Sequence, residues 1–182
     1  TLALTGFPFL SGFYSKDAII EYAYLNGTGL GYWASAIGIF TAFLTSVYSW
    51  RLIFKTFHGT YNNRNIDLKS VHESPLVMLL PLFVLAIGSI GAGFIFKELL
   101  IGNESTIDFW KDSIIFLEPL SNEHPPTWFI FLTPGLVIVS IPLSFYLFIK
   151  NKDILVDIVD MNRPFYDFLK NKWYFDELYD SI

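Results

Sequence analysis

The chain has 182 residues, of which 53% are hydrophobic and 16% charged, with 19 Phe, 10 Tyr and 5 Trp. Soluble domains carry about 25% charged residues, so this composition, with a mean hydropathy of +0.45, excludes an ordinary water-soluble fold. A net charge of −5 without a basic patch argues against nucleic-acid binding, and zero cysteines exclude disulfides and thiolate metal sites.

Residues 29–50, 75–96 and 125–149 carry no charge. Roughly 20 apolar residues in a helix cross a hydrocarbon core of about 30 Å, and a helix satisfies its own backbone in lipid. The fold class expected is all-α, a polytopic transmembrane bundle. Its spans are about 1–26, 29–57, 75–100 and 125–150, and the first is discontinuous. Residues 151–182 form an amphipathic surface segment. The chain starts inside an apolar run, without a basic leader, so we expect a piece of a longer polytopic protein.

The first span opens "TLALTGFPFLSGFYSKDAIIE". Gly6, Pro8, Ser11 and Gly12 fall within seven positions, and proline removes a backbone donor while glycine loosens the chain. A helix broken in a membrane is tolerated where protein or a water-filled cavity covers the freed groups. Lys16 and Asp17 follow at once. With the span ending at Asn26, Lys16 lies ten residues inside it, about 15 Å along the axis.

An ionised group there is unfavourable by roughly 2.5–3.5 kcal/mol on insertion scales. A lysine held between burial and a carboxylate exchanges its proton when its partner moves, which is what a proton relay requires. Asp17 and Glu21 are four residues apart and share a helix face, with Lys16 offset by about 100°, so Lys16 and Asp17 do not make a well-directed helical pair. In the structural alternative, Lys16 snorkels outward and Asp17 sits in the first turn of a half-helix beginning near Ser15, favourable to the helix dipole. The residues alone leave both readings open.

The second span spaces Ala34, Gly38, Ala42 and Ser46 by four, a stripe of small residues that admits a neighbouring helix. Thr41, Thr45, Tyr48 and Ser49 form a polar strip beside it, for a hydrated seam or for interhelical hydrogen bonds. Arg51 and Lys55 end this helix as interfacial cations. The third span has Ser74 as expected N-cap and Pro75 at the first helical position, with His72 and Glu73 solvated at the interface. Pro81 in this helix, and Pro134 and Pro142 in the next, are expected to kink their helices. Beyond Lys150, Ile154, Leu155, Ile158 and Val159 oppose Asp153, Asp157 and Asp160. Phe165, Phe168, Leu169 and Trp173 continue the apolar face after Pro164.

Orientation follows the excess of Lys and Arg in inner loops. Arg51, Lys55, Arg64, Lys69, Lys150, Lys152, Arg163, Lys170 and Lys172 fall on one side, against Lys97 and Lys111 on the other. The C-terminal segment is therefore expected on the cytoplasmic or matrix side. Two N-glycosylation sequons, beginning at Asn26 and Asn103, are read as chance.

"GFPFLSGFYSKDAIIE", "TSVYSWRLIFKTFHG", "HESPLVMLLPL" and "NKWYFDELYD" together resemble the antiporter-like membrane subunits of respiratory NADH:quinone oxidoreductase, the family of bacterial subunit L and mitochondrial subunit 5. The likeness covers essentially all 182 residues in order. It implies a C-terminal fragment of a proton-translocating subunit in the bacterial inner or the mitochondrial inner membrane. In the family a lysine at the position of Lys16 belongs to a broken helix and ends a chain of buried charges near the outer exit. Asp17 matches the adjacent acid and Arg51 the arginine of "YSWR"; Glu21 is a secondary candidate.

The resemblance also implies that the final segment begins a long lateral helix. Neighbouring antiporter-like subunits are the implied partners. NAD, FMN, iron–sulfur clusters and quinone are expected in other subunits, with no cofactor or metal in this chain. The large subunit of a multi-subunit Na⁺/H⁺ antiporter or a membrane-bound hydrogenase is the alternative, since the broken-helix lysine is common to them. A structural membrane segment with no ion path is the second alternative.

Overall fold

The computed structural model describes residues 1–58, 73–101, 108–113, 125–151 and 153–181. Arg64, Lys69, His72, the sequon beginning at Asn103 and Lys152 lie outside them. The described residues contain no strand, and three helices are long and apolar enough to cross a membrane.

The first span is broken, and its sequence explains the break. Helix α1, Leu2–Thr5, ends at Gly6, whose φ of 80° is left-handed and whose N–H returns to the carbonyls of Ala3 and Leu2. Left-handed backbone is the conformation glycine adopts without a Cβ penalty. Pro8 follows in the connection, and α2 runs Ser11–Leu25 with Leu10 at its N-cap. At 15 residues, α2 is about 22 Å long, short of a full crossing. Because α2 starts at Ser11, Asp17 stands in its second turn. The first-turn capping role expected in the structural alternative does not occur.

Between α2 and α3, Gly29–Phe57, the chain turns at Gly27, where φ is 68°. Thr28 caps α3: its Oγ1 accepts from the Gly31 N–H at 3.1 Å and donates to Asn26 Oδ1 at 2.6 Å. The residues of the first sequon thus close a turn and start a helix.

Helix α4, Leu76–Leu100, contains Pro81 and has Pro75 as its N-cap. The N-cap falls one residue after the expected Ser74, because the Pro75 carbonyl already accepts from the N–H groups of Met78 and Leu79. Helix α5, Thr127–Phe145, contains Pro134 and Pro142 and continues as a π turn, Tyr146–Lys150. The Asn151 N–H closes that turn on the Tyr146 carbonyl at 2.9 Å. All three prolines lie within helices that continue past them.

Helices α3 and α5 pack most extensively, with α2 against α3 and α4. The α3–α5 seam is polar at its centre. Ser46 and Ser140 share a hydroxyl hydrogen bond, Ser140 also donates to its own Val137 carbonyl, and Ser144 donates to the Val47 carbonyl. Ser46, Ser140 and Ser144 are fully buried. Of the expected stripe on α3, Ala42 and Ser46 are buried and Gly38 is half-buried against Ile20, while Ala34 is exposed; Gly31, Ser35 and Ser49 are buried as well. The α2–α3 crossing sets this, since Gly31 lies against Ala23 and Gly38 against Ile20. Of the polar strip, Thr45 bonds back to the Thr41 carbonyl at 2.7 Å and Ser49 is buried. Tyr48 is exposed.

No residue of α4 is buried. Its contact with α2 is local: Ser11 Oγ donates to the Ser89 carbonyl at 2.9 Å, and a Cβ on Gly93 would stand 2.4 Å from Ser11 Cα. After Lys150 come α6, Asp153–Met161, α7, Arg163–Lys170, and α8, Phe175–Asp180. Lys172, Trp173 and Tyr174 all have positive φ, so this chain makes a left-handed turn where one continuous helix would need right-handed backbone. Ile158, Phe165, Phe168, Leu169 and Trp173 remain exposed.

Candidate functional site: a lysine at the helix fracture

The fracture leaves the Leu4 carbonyl in need of a donor. In an unbroken helix the Leu4 carbonyl would accept from the N–H of residue 8, but Pro8 has none. The Lys16 Nζ donates to that carbonyl instead. The chain reaches it because α1 folds against the start of α2. A Cβ on Gly12 would stand 1.9 Å from the Ala3 carbonyl oxygen, so only glycine permits the approach. The lysine stem runs past Gly6, with Cδ 3.4 Å from where a Cβ would be. Two of the glycines that break the helix also shape the channel for the lysine side chain. The ammonium ends on the negative terminus of a helical turn, a favourable place for a cation.

The depth of Lys16 follows from the α2–α3 crossing. A Cβ on Gly38 would lie 3.1 Å from Ile20 Cγ1, and one on Gly31 2.5 Å from the Ala23 carbonyl. The helices are therefore antiparallel, and four residues back along α2 places Lys16 level with Ala42. Residue 43 is the midpoint of α3, Gly29–Phe57. Lys16 thus sits midway along a helix about 43 Å long.

Lys16, Asp17 and Glu21 are each half-buried. Asp17 and Glu21 interact electrostatically across one helical turn. Among the described residues Lys16 forms no ion pair with Asp17; it turns toward α1, and the two acids share another face. The arrangement separates one cationic group on a fractured backbone from a carboxylate pair about a quarter-turn round the same helix. Arg51 is not part of it. Nine residues beyond Ala42, it lies about 14 Å further along α3, exposed, with its Cζ 5.7 Å from the Phe148 ring centroid.

Leu4 was not foreseen as a partner of Lys16. Pro8 marks the orphaned carbonyl, but a contact over 12 residues also needs the left-handed turn at Gly6, which spacing does not reveal. A cavity of about 230 Å³ opens on another side of α2, lined by Ser11, Tyr14, Gly93, Phe96 and Lys97. Lys97, expected as an outer-loop cation, lies in the last turn of α4 with Nζ 5.6 Å from the Tyr14 ring centroid.

Among the described residues, three helices long and apolar enough to cross a membrane and a fourth segment fractured around a lysine are the makeup of an all-α, polytopic membrane protein with a discontinuous helix. No family model matches it. It is 40% identical over 186 residues to NADH-ubiquinone oxidoreductase chain 5 of Phytophthora infestans, covering 98% of this chain and 28% of that protein. The same-named protein of Chondrus crispus is 39% identical over 201 residues, and that of Marchantia polymorpha 36% over 196, each covering all of this chain. Over essentially its whole length the chain is homologous to a segment of NADH-ubiquinone oxidoreductase chain 5. It spans 28–29% of the length of these curated relatives.

Proposed function

We propose that this chain carries the outer end of a proton path in the membrane arm of an NADH-ubiquinone oxidoreductase, with Lys16 as the proton-exchanging group. The observation that carries this reading is the ammonium of Lys16 on the Leu4 carbonyl at the fracture, level with the midpoint of α3. A protonated Lys16 bridges the two halves of the broken span. On giving up its proton the amine becomes a weaker donor to that carbonyl, because the bond loses its charge assistance, and water entering the fracture takes its place. Asp17 and Glu21, on the neighbouring face of α2, belong to the same path. Arg51 is remote from this step.

The names of the relatives support the redox complex as the setting. NADH oxidation and quinone reduction belong to other subunits of it, with NAD, FMN, iron–sulfur clusters and quinone bound there. The partners of this chain are membrane subunits of the same complex, including antiporter-like neighbours. The setting is the mitochondrial inner membrane or its bacterial counterpart, with the C-terminal segment on the matrix or cytoplasmic side. The excess of Lys and Arg in the loops supports that orientation.

The test is Lys16→Ala in the full-length subunit, read as NADH-driven proton translocation in membrane vesicles alongside the abundance of assembled complex. A positioned proton-transfer group contributes about 10²-fold or more, so flux through this path drops by that order while assembly stays normal. Undiminished translocation in the assembled variant would leave Lys16 a purely structural bridge across the fracture.

A further inference from the structure

We propose that the ends of α3 and α5 form a binding site for the phosphate of an anionic phospholipid, built from Arg51, Lys55 and Phe148. Arg51 and Lys55 are one helical turn apart on α3 and both exposed. They converge on a single aromatic ring of the neighbouring helix, the Arg51 Cζ 5.7 Å and the Lys55 Nζ 6.0 Å from the Phe148 centroid. Phe148 itself is buried, 8% exposed. Two cations are therefore held around one ring, and no carboxylate of the described residues is ion-paired with either. Two cations gathered at one ring favour an anion beside them. Lys150, two residues past Phe148, adds a third cation at the same end of the bundle.

The choice of a lipid over a soluble anion comes from what lies along the helix. Leu44, Tyr48, Arg51 and Lys55 recur at helical spacing, forming one continuous stripe. Leu44 is 45% exposed and Tyr48 56%. From the middle of the membrane outward, the stripe reads as an apolar side chain, an aromatic with a polar tip, then two cations. That is the order of an acyl chain, an ester region and a phosphate. Leu44 to Lys55 is about 16 Å along the axis, comparable to one lipid leaflet. Basic pockets between membrane helices recognise acidic headgroups in this way, and a guanidinium suits a phosphate because its donors are forked.

The experiment uses the intact membrane complex that contains the chain, reconstituted with a phosphatidylglycerol or a phosphatidylcholine that carries a photoreactive acyl chain. Labelled peptides are mapped by mass spectrometry. The expected result is labelling of the Leu44–Lys55 stretch by the phosphatidylglycerol probe, about thirtyfold above the choline probe, as two surface cations predict. Arg51→Gln with Lys55→Gln brings it down to the choline level, while Arg51→Lys with Lys55→Arg, which keeps the charges, retains the excess. Equal labelling by both probes, or labelling indifferent to the Gln pair, overturns the site. Inorganic phosphate in excess leaves the labelling unchanged; competition by it would assign the cations to a soluble anion and overturn the lipid reading.

Discussion

Two regions bury polar groups among apolar side chains, and they do so differently. At the α3–α5 seam every group is neutral: Ser46, Ser140 and Ser144 exchange hydrogen bonds with each other or with backbone carbonyls whose helices run on unbroken. At the fracture the backbone itself is interrupted, and the group that repairs it is an ammonium. A hydroxyl at the seam has one protonation state in the physiological range, so the seam holds one arrangement. An amine that bridges a fracture couples its proton to the geometry of the chain. The difference teaches that polarity in a membrane bundle serves packing where the backbone is complete, and chemistry where it is not.

The sharpest way to break this comparison is at Lys16. Lys16→Arg keeps the charge and can still reach a carbonyl, but a guanidinium does not deprotonate in a protein. Translocation is expected to fail as in Lys16→Ala, and a pumping Arg variant would reduce the fracture to a second structural seam. Next in size is Gly12→Val. Its Cβ would stand 1.9 Å from the Ala3 carbonyl, forcing α1 off α2 and separating Leu4 from Lys16. Overpacking costs about 1–3 kcal/mol, so both thermal stability of the assembled complex and translocation fall; a variant stable and active at wild-type levels would deny that the close approach matters.

Gly6→Ala is milder. Left-handed backbone costs an L-residue about 1 kcal/mol, and the new methyl would lie 3.4 Å from Lys16 Cδ. A partial loss of translocation with little loss of assembly is expected, measured in the same vesicles. The smallest effect is at the seam. Ser46→Ala and Ser140→Ala, taken singly and together, should show a coupling of about 0.6 kcal/mol in unfolding measurements, with translocation unchanged. A pumping defect in either seam variant would erase the distinction between the two regions.

Parts of this contrast were legible in the residues. Gly6, Pro8 and Gly12 announce the interruption, because a missing donor and a left-handed preference are properties of those residue types alone. Which small residues of α3 face inward was legible only in part: Ala42 and Ser46 are buried, Ala34 is not. Ala34, Gly38, Ala42 and Ser46 repeat every four residues, but a helix turns in 3.6, so a stripe of fours drifts around it. The α2–α3 crossing at Gly31 and Gly38 decides which face is covered, and Ala34, between them in the chain, falls outside that face. The left-handed turn at Lys172–Tyr174 was hidden likewise, since none of these three residues has a local preference for positive φ.

The sequence by itself determined the solvent, the helices and the place of the break. Uncharged runs of membrane length have one way to satisfy their backbone in lipid, and a proline cannot give a hydrogen it lacks. Only the tertiary structure decided that Lys16 belongs to Leu4, that Arg51 belongs with Phe148, and that Ser46 meets Ser140. Each of these joins residues 12 or more positions apart, and which of many polar atoms comes within reach depends on how α1 folds back and how the helices cross.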